Sequence, residues 1–203
     1  MIISKLATAA AVAALMLPAL PAAAHDIVYT GSLSGLAESP PNGSAGTGFT
    51  TITFDDHNFT MRVEATFSGL TGNITASHIH CCTANPGAAT AGVATQLPSF
   101  GGFPLGVTSG SYDQTFDMTQ LSSWNSAFVG ANGGTTGAAF STLLQGFADG
   151  KAYLNIHTTA VGSGEIRAFP QLAPVPEPET WALMAAGLGG VAWRVKRRKV
   201  QEA

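Results

Sequence analysis

The chain has 203 residues, with nine Lys or Arg against twelve Asp or Glu, a formal net charge of −3 and only 10% charged side chains. Between residues 26 and 174 its basic side chains are Arg62, Lys151 and Arg167, set against nine acids, so this stretch is acidic and nucleic acid is excluded as a partner. Roughly 150 residues are enough for one domain with its own core, and the frequent apolar alternation among Gly, Ser and Thr predicts a β-rich exported domain rather than disorder.

At the N-terminus Lys5 precedes an apolar run from Leu6 to Leu17, and Ala22-Ala23-Ala24 offers a small-residue cleavage pattern, so residues 1–24 read as a secretory signal peptide. An early strand is predicted over Ile27 to Leu36, followed by a Pro/Gly/Ser/Asn loop from Glu38 to Gly48. Gly48 to Phe54 and Asn58 to Ser68 both alternate at period two around Asp55-Asp56-His57-Asn58, which is the pattern of a hairpin. Phe59, Met61, Val63, Ala65 and Phe67 then share one face of the second strand.

Ile74 to Cys82 is predicted as a further strand, Thr83 to Gly110 as loop with one short strand near Val93, and Gly110 to Met118 as another strand. Apolar residues recur at helical spacing over Met118 to Phe128 and Ala138 to Ala148, predicting two short helices around a Gly130 to Gly137 loop. Lys151 to Thr158 and Glu165 to Leu172 read as a closing hairpin. Seven or eight strands with short helical excursions imply an all-β antiparallel sandwich or barrel.

Ser77-His78-Ile79-His80 places two imidazoles at i and i+2, hence on one strand face with Cβ atoms about 7 Å apart. His157 stands in Tyr153-Leu154-Asn155-Ile156-His157-Thr158, where it shares a face with Asn155. If the two strands are neighbours, His78, His80 and His157 converge, and three nitrogen ligands suit zinc or copper. The same residues also suit a hydrogen-bonded cluster that ties two strands.

Cys81 and Cys82 are the only cysteines and are adjacent, so they cannot staple distant segments. A disulfide between neighbours, pairing between chains and service as extra metal ligands all remain open. Glu165 and Arg167 share a face and are expected to pair with each other or with Arg62 and Glu64, or Glu165 to orient an imidazole. No Gly-x-Ser-x-Gly, phosphate-cradling Gly loop or His-Glu-x-x-His helix occurs, so an enzyme is not expected.

The last thirty residues run Val175-Pro176-Glu177-Pro178, then an apolar segment from Trp181 to Trp193, then Arg194-Val195-Lys196-Arg197-Arg198-Lys199. Thirteen residues make a marginal membrane span, since a stable one needs about 20, and the basic end would stay on the cytoplasmic side. This order resembles the PEP-CTERM protein-sorting signal. The resemblance implies removal of the tail by an exosortase-like membrane enzyme and release to the cell envelope or extracellular polysaccharide matrix. With the N-terminal segment, Sec-type export, hydrophobic targeting helices at the two ends and a transient inner-membrane intermediate are expected.

Ala76-Ser77-His78-Ile79-His80, Ala152-Tyr153-Leu154-Asn155-Ile156-His157-Thr158 and Gly164-Glu165-Ile166-Arg167 together resemble the CHRD domain, over roughly Ile27 to Leu172. That resemblance implies an immunoglobulin-like or dismutase-like sandwich in an extracellular setting, without established enzymatic activity. Where the family commonly has Gly after the His-x-His, this chain has Cys81-Cys82. The expected organisation is therefore a signal peptide (1–24), a CHRD-like domain (25–173) and a sorting tail (174–203). The expected function is that of a noncatalytic exported protein binding metal or a matrix component such as polysaccharide, with a redox-active copper or zinc protein as the alternative.

Overall fold

The structure, a computed structural model, describes residues 26–174 together with Met184 and residues 187–189. The expected signal peptide, the Val175 to Pro178 motif and most of the apolar segment 181–193 lie outside the described residues. Among the described residues no helix is long and apolar enough to cross a membrane.

Eight strands form the domain: β1 (Ile27–Ser34), β2 (Thr47–Asp55), β3 (Thr60–Ser68), β4 (Ile74–His80), β5 (Gly110–Asp117), β6 (Tyr153–Thr158), β7 (Ile166–Ala168) and β8 (Gln171–Leu172). The paired strands are antiparallel, and the order β4-β6-β7-β1-β2-β3-β5 makes one continuous sheet, with β8 added to β1. The all-β antiparallel expectation holds, but the two packed layers of an immunoglobulin-like or dismutase-like sandwich are replaced by one sheet curled into a half-barrel. The reason lies in β1, which pairs β2 along one edge and β7 and β8 along the other, joining what would have been two sheets.

The β2–β3 hairpin forms as its alternation predicts, with Phe54 opposite Met61 and Ile52 opposite Val63. Ile52, Phe54, Met61, Val63 and Phe67 point into the core, whereas Phe59 lies before β3 and is partly exposed. Helix α1 (Ser126–Ala131) is capped by Asn125, and helix α2 (Thr136–Ala148) by Thr135. Phe140 and Phe147 of α2 meet Phe54 edge-on at 5.9 and 5.1 Å between ring centroids, so α2 packs across the apolar face of the sheet.

Two expectations fail locally. Met118 to Asn125 is not helical apart from one 3-10 turn, Leu121–Ser123. There Asp117 accepts from the Thr119 amide and hydroxyl, Ser123 Oγ donates to the Asp117 carbonyl and Trp124 Nε1 to the Met118 carbonyl, bonds that compete with an α-helix. The closing hairpin is interrupted as well: Pro170 has no amide hydrogen to continue the ladder, so only β7 pairs β6 and the chain beyond it crosses to β1.

Candidate metal centre

The site is built where β4 and β6 lie side by side. In their register Ile79 and Ser77 oppose Leu154 and Ile156, while His78 opposes Asn155 and His80 opposes Tyr153. Period-two alternation therefore sends Ile79, Leu154 and Ile156 into the core and gathers His78, His80, Tyr153, Asn155 and His157 on the other face. The three rings lie 5.0 to 5.7 Å apart between centroids, and one potential ligand nitrogen from each lies within 4.8 Å of the others.

Each ring is anchored by a backbone carbonyl. His78 Nε2 is 2.6 Å from the Pro98 oxygen, His80 Nδ1 2.9 Å from the Ala91 oxygen and His157 Nδ1 3.0 Å from the Gly162 oxygen. A carbonyl only accepts, so these three nitrogens carry the hydrogens. In the neutral rings His78 Nδ1, His80 Nε2 and His157 Nε2 are then left as bare lone pairs. Those three atoms are buried and have no hydrogen-bond partner. The carbonyls thus fix the tautomer of each ring and leave one bare nitrogen per ring able to serve as a ligand.

Burial favours the neutral form of each ring. It lowers the pKa of His78 despite the Pro98 carbonyl, with His157 adding to the effect, and it takes His80 to about 4. Burial also lowers His157, against its bond to Gly162.

A family model described as the CHRD domain matches residues 29–169, the stretch that contains every strand of this site. The chain belongs to the CHRD domain family. A second match, the PEP-CTERM protein-sorting motif, covers residues 174–198 and implies processing by an exosortase and sorting to the cell envelope or extracellular space. No curated protein and no solved structure matches the chain.

In this CHRD domain Cys81 and Cys82 do not join the histidine group. They form a disulfide with each other at the end of β4, and their sulfurs lie against Gly146 of α2, where a Cβ would collide with both. Glu165 pairs with neither Arg62 nor Arg167. It accepts from Ser44 Oγ at 2.6 Å, Thr158 Oγ1 at 2.6 Å and the amides of Thr71 and Gly72. Burial alone would raise its pKa, but these four donors outweigh it and hold the carboxyl at about 2. It therefore ties the 44 and 71–72 loops to β6 instead of orienting an imidazole.

Arg167 is only 2% exposed and reaches Glu38 at 3.8 Å. Its Nε and NH1 donate to the carbonyls of Ala37 and Ala89, and its guanidinium lies 4.8 Å from the centre of the Tyr153 ring and 5.0 Å from that of Phe169. Arg62 pairs instead with Glu64 and, through two hydrogen bonds, with Asp113 on the outer face. The carbonyls of Ala91, Pro98 and Gly162 carry no mark in the sequence, because any residue type supplies one. Tyr153 could have been singled out as a face-mate of His157, four residues before it on the same strand.

Proposed function

We propose that the chain is a noncatalytic, exosortase-sorted extracellular protein whose CHRD domain binds one zinc or copper ion through His78 Nδ1, His80 Nε2 and His157 Nε2. One observation carries the reading: the three rings offer nitrogens within 4.8 Å of one another, and each ring keeps one buried nitrogen without a hydrogen-bond partner while a carbonyl fixes the opposite one. An isolated buried acceptor costs about 1 to 3 kcal/mol, and an ion satisfies three at once. A purely structural cluster would have used those nitrogens to bond one another or the strands.

The tail supports the destination. Sec-type export would deliver the domain across the membrane, a transient membrane-held intermediate would present the tail, and its removal would release the domain to the envelope or matrix, where a polysaccharide or another matrix component is the natural neighbour. Elemental analysis and intact mass on protein from its native host test both halves together. One metal per chain and loss of the basic Arg194 to Lys199 end are expected. Metal-free protein still unresponsive to added zinc or copper would end the metal reading, and a cytoplasmic intact chain would end the sorting reading.

A further inference from the structure

We infer that the Cys81–Cys82 disulfide is an exchange site for an external dithiol, and that opening it lowers the affinity of the three-histidine site for its ion. This rests on the metal-binding reading above. The disulfide follows His80 without an intervening residue at the end of β4. Cys81 donates its amide to the Gly92 carbonyl at 3.0 Å, the neighbouring Ala91 carbonyl holds His80 Nδ1 at 2.9 Å, and His80 bridges to Val93. Three consecutive residues, Ala91 to Val93, thus serve both the disulfide and the ligand ring.

Access and confinement both favour coupling. Cys81 is buried, but Cys82 is exposed and borders two clefts of about 430 and 440 Å³, one walled by Val93, Phe128 and Thr142, the other by Gln145 and Lys151. A reductant can therefore approach Cys82 from either side. Behind the sulfurs the backbone of α2 at Gly146 leaves no room for even a Cβ. Once the bond is broken Cys82 Sγ has the clefts to swing into, whereas the buried Cys81 Sγ, backed by Gly146, moves only with the end of β4, whose Cys81 amide is tied to the Ala91 to Val93 segment.

The chemistry is ordinary thiol–disulfide exchange. A thiolate of the dithiol attacks Cys82 Sγ, the Cys81–Cys82 bond breaks, and Cys81 leaves as a thiolate that takes up a proton. The second thiol of the reagent then attacks the mixed disulfide and releases Cys82, which is protonated in turn. The reagent ends as a disulfide, having given two electrons and two protons, and the chain ends with two thiols.

The test uses the full chain and zinc. Zinc affinity is measured by competition with a chromophoric chelator in the oxidised chain, in the chain reduced by a dithiol and freed of excess reagent without oxygen, and after reoxidation. Since loss of a group that orients a ligand weakens metal binding about 10- to 100-fold, reduction should raise Kd at least tenfold and reoxidation should restore it. The Cys81→Ser/Cys82→Ser variant should match the reduced chain. Equal histidine-dependent affinity in both redox states overturns the inference. So does tighter binding on reduction that the double Ser variant lacks, because the thiols would then be ligands. An oxidised chain that binds neither zinc nor, in the same assay, copper overturns the metal reading itself, and the wild-type redox cycle decides the matter even if the Ser variant does not fold.

Discussion

His80 lies face to face on Tyr153, with ring centroids 4.8 Å apart and planes within 1° of parallel, because the two residues are register partners across β4 and β6. The phenol oxygen also accepts from the Ala91 amide at 3.2 Å, so Tyr153 holds the imidazole from one side and, through Ala91, the carbonyl that orients it. Tyr153→Phe keeps the stack and removes one hydrogen bond, with an expected loss of about 1 kcal/mol in denaturant unfolding and little change in zinc affinity. Tyr153→Leu removes the stack too and should weaken zinc binding about tenfold. A Leu variant that binds zinc like the wild type would show that the stack does not position His80.

Zinc should stabilise the folded chain by mass action. At a free concentration 100 times Kd the gain is about 2.7 kcal/mol, visible as a raised melting temperature. The His78→Ala/His80→Ala variant should lose that response and start from a lower melting temperature, since it also removes the ring bonds to the Pro98 and Ala91 carbonyls and the stack on Tyr153. A double variant whose melting point still climbs with zinc would place the ion elsewhere.

Glu165 couples stability to acid. Its carboxyl is held at about 2 against an ordinary 4.5, so the folded form binds fewer protons than the unfolded chain in that interval. The corresponding stabilisation is complete above the unfolded value and disappears as pH falls from about 4.5 to about 2. Glu165→Gln should cost about 2 to 3 kcal/mol at neutral pH and flatten the unfolding free energy across that acid window. Parallel pH profiles for variant and wild type would remove Glu165 from this role.

Glu38 has the opposite sign. Burial raises its carboxyl to about 7, with Arg167 and the Ser39 amide only partly offsetting this. The folded chain therefore holds a proton that the unfolded chain has released, and stability declines as pH rises from about 4.5 to 7. Glu38→Gln should be nearly neutral at pH 5 and relatively stabilised at pH 8. Arg167→Met at pH 8, by contrast, should cost about 3 to 5 kcal/mol, since it leaves a buried carboxylate without its cation. Equal Glu38→Gln effects at the two pH values would contradict the raised titration.

Local pattern was legible wherever one residue set serves one face. The β2–β3 hairpin, β5, α2 and the strands bearing His78, His80 and His157 all follow from period-two or helical spacing, and the tail and the two His-bearing motifs pointed to the families that the chain matches. The failures came where side chains redirect the backbone. Around Asp117 to Trp124 helical apolar spacing was overruled by bonds from Thr119, Ser123 and Trp124, and at Pro170 a missing amide ended the hairpin.

The sequence by itself determined that two imidazoles share one strand face and that a third stands on another strand, because alternation is a local property of extended chain. Only the tertiary structure decided that those strands are neighbours, that the sheet is continuous through β1, and that Cys81 and Cys82 are joined against α2 away from the histidine group. It also decided which nitrogen of each ring is left bare, since that depends on carbonyls of Ala91, Pro98 and Gly162. Backbone acceptors are identical at every residue, so their placement is written in the path of the loops and not in the identity of the side chains.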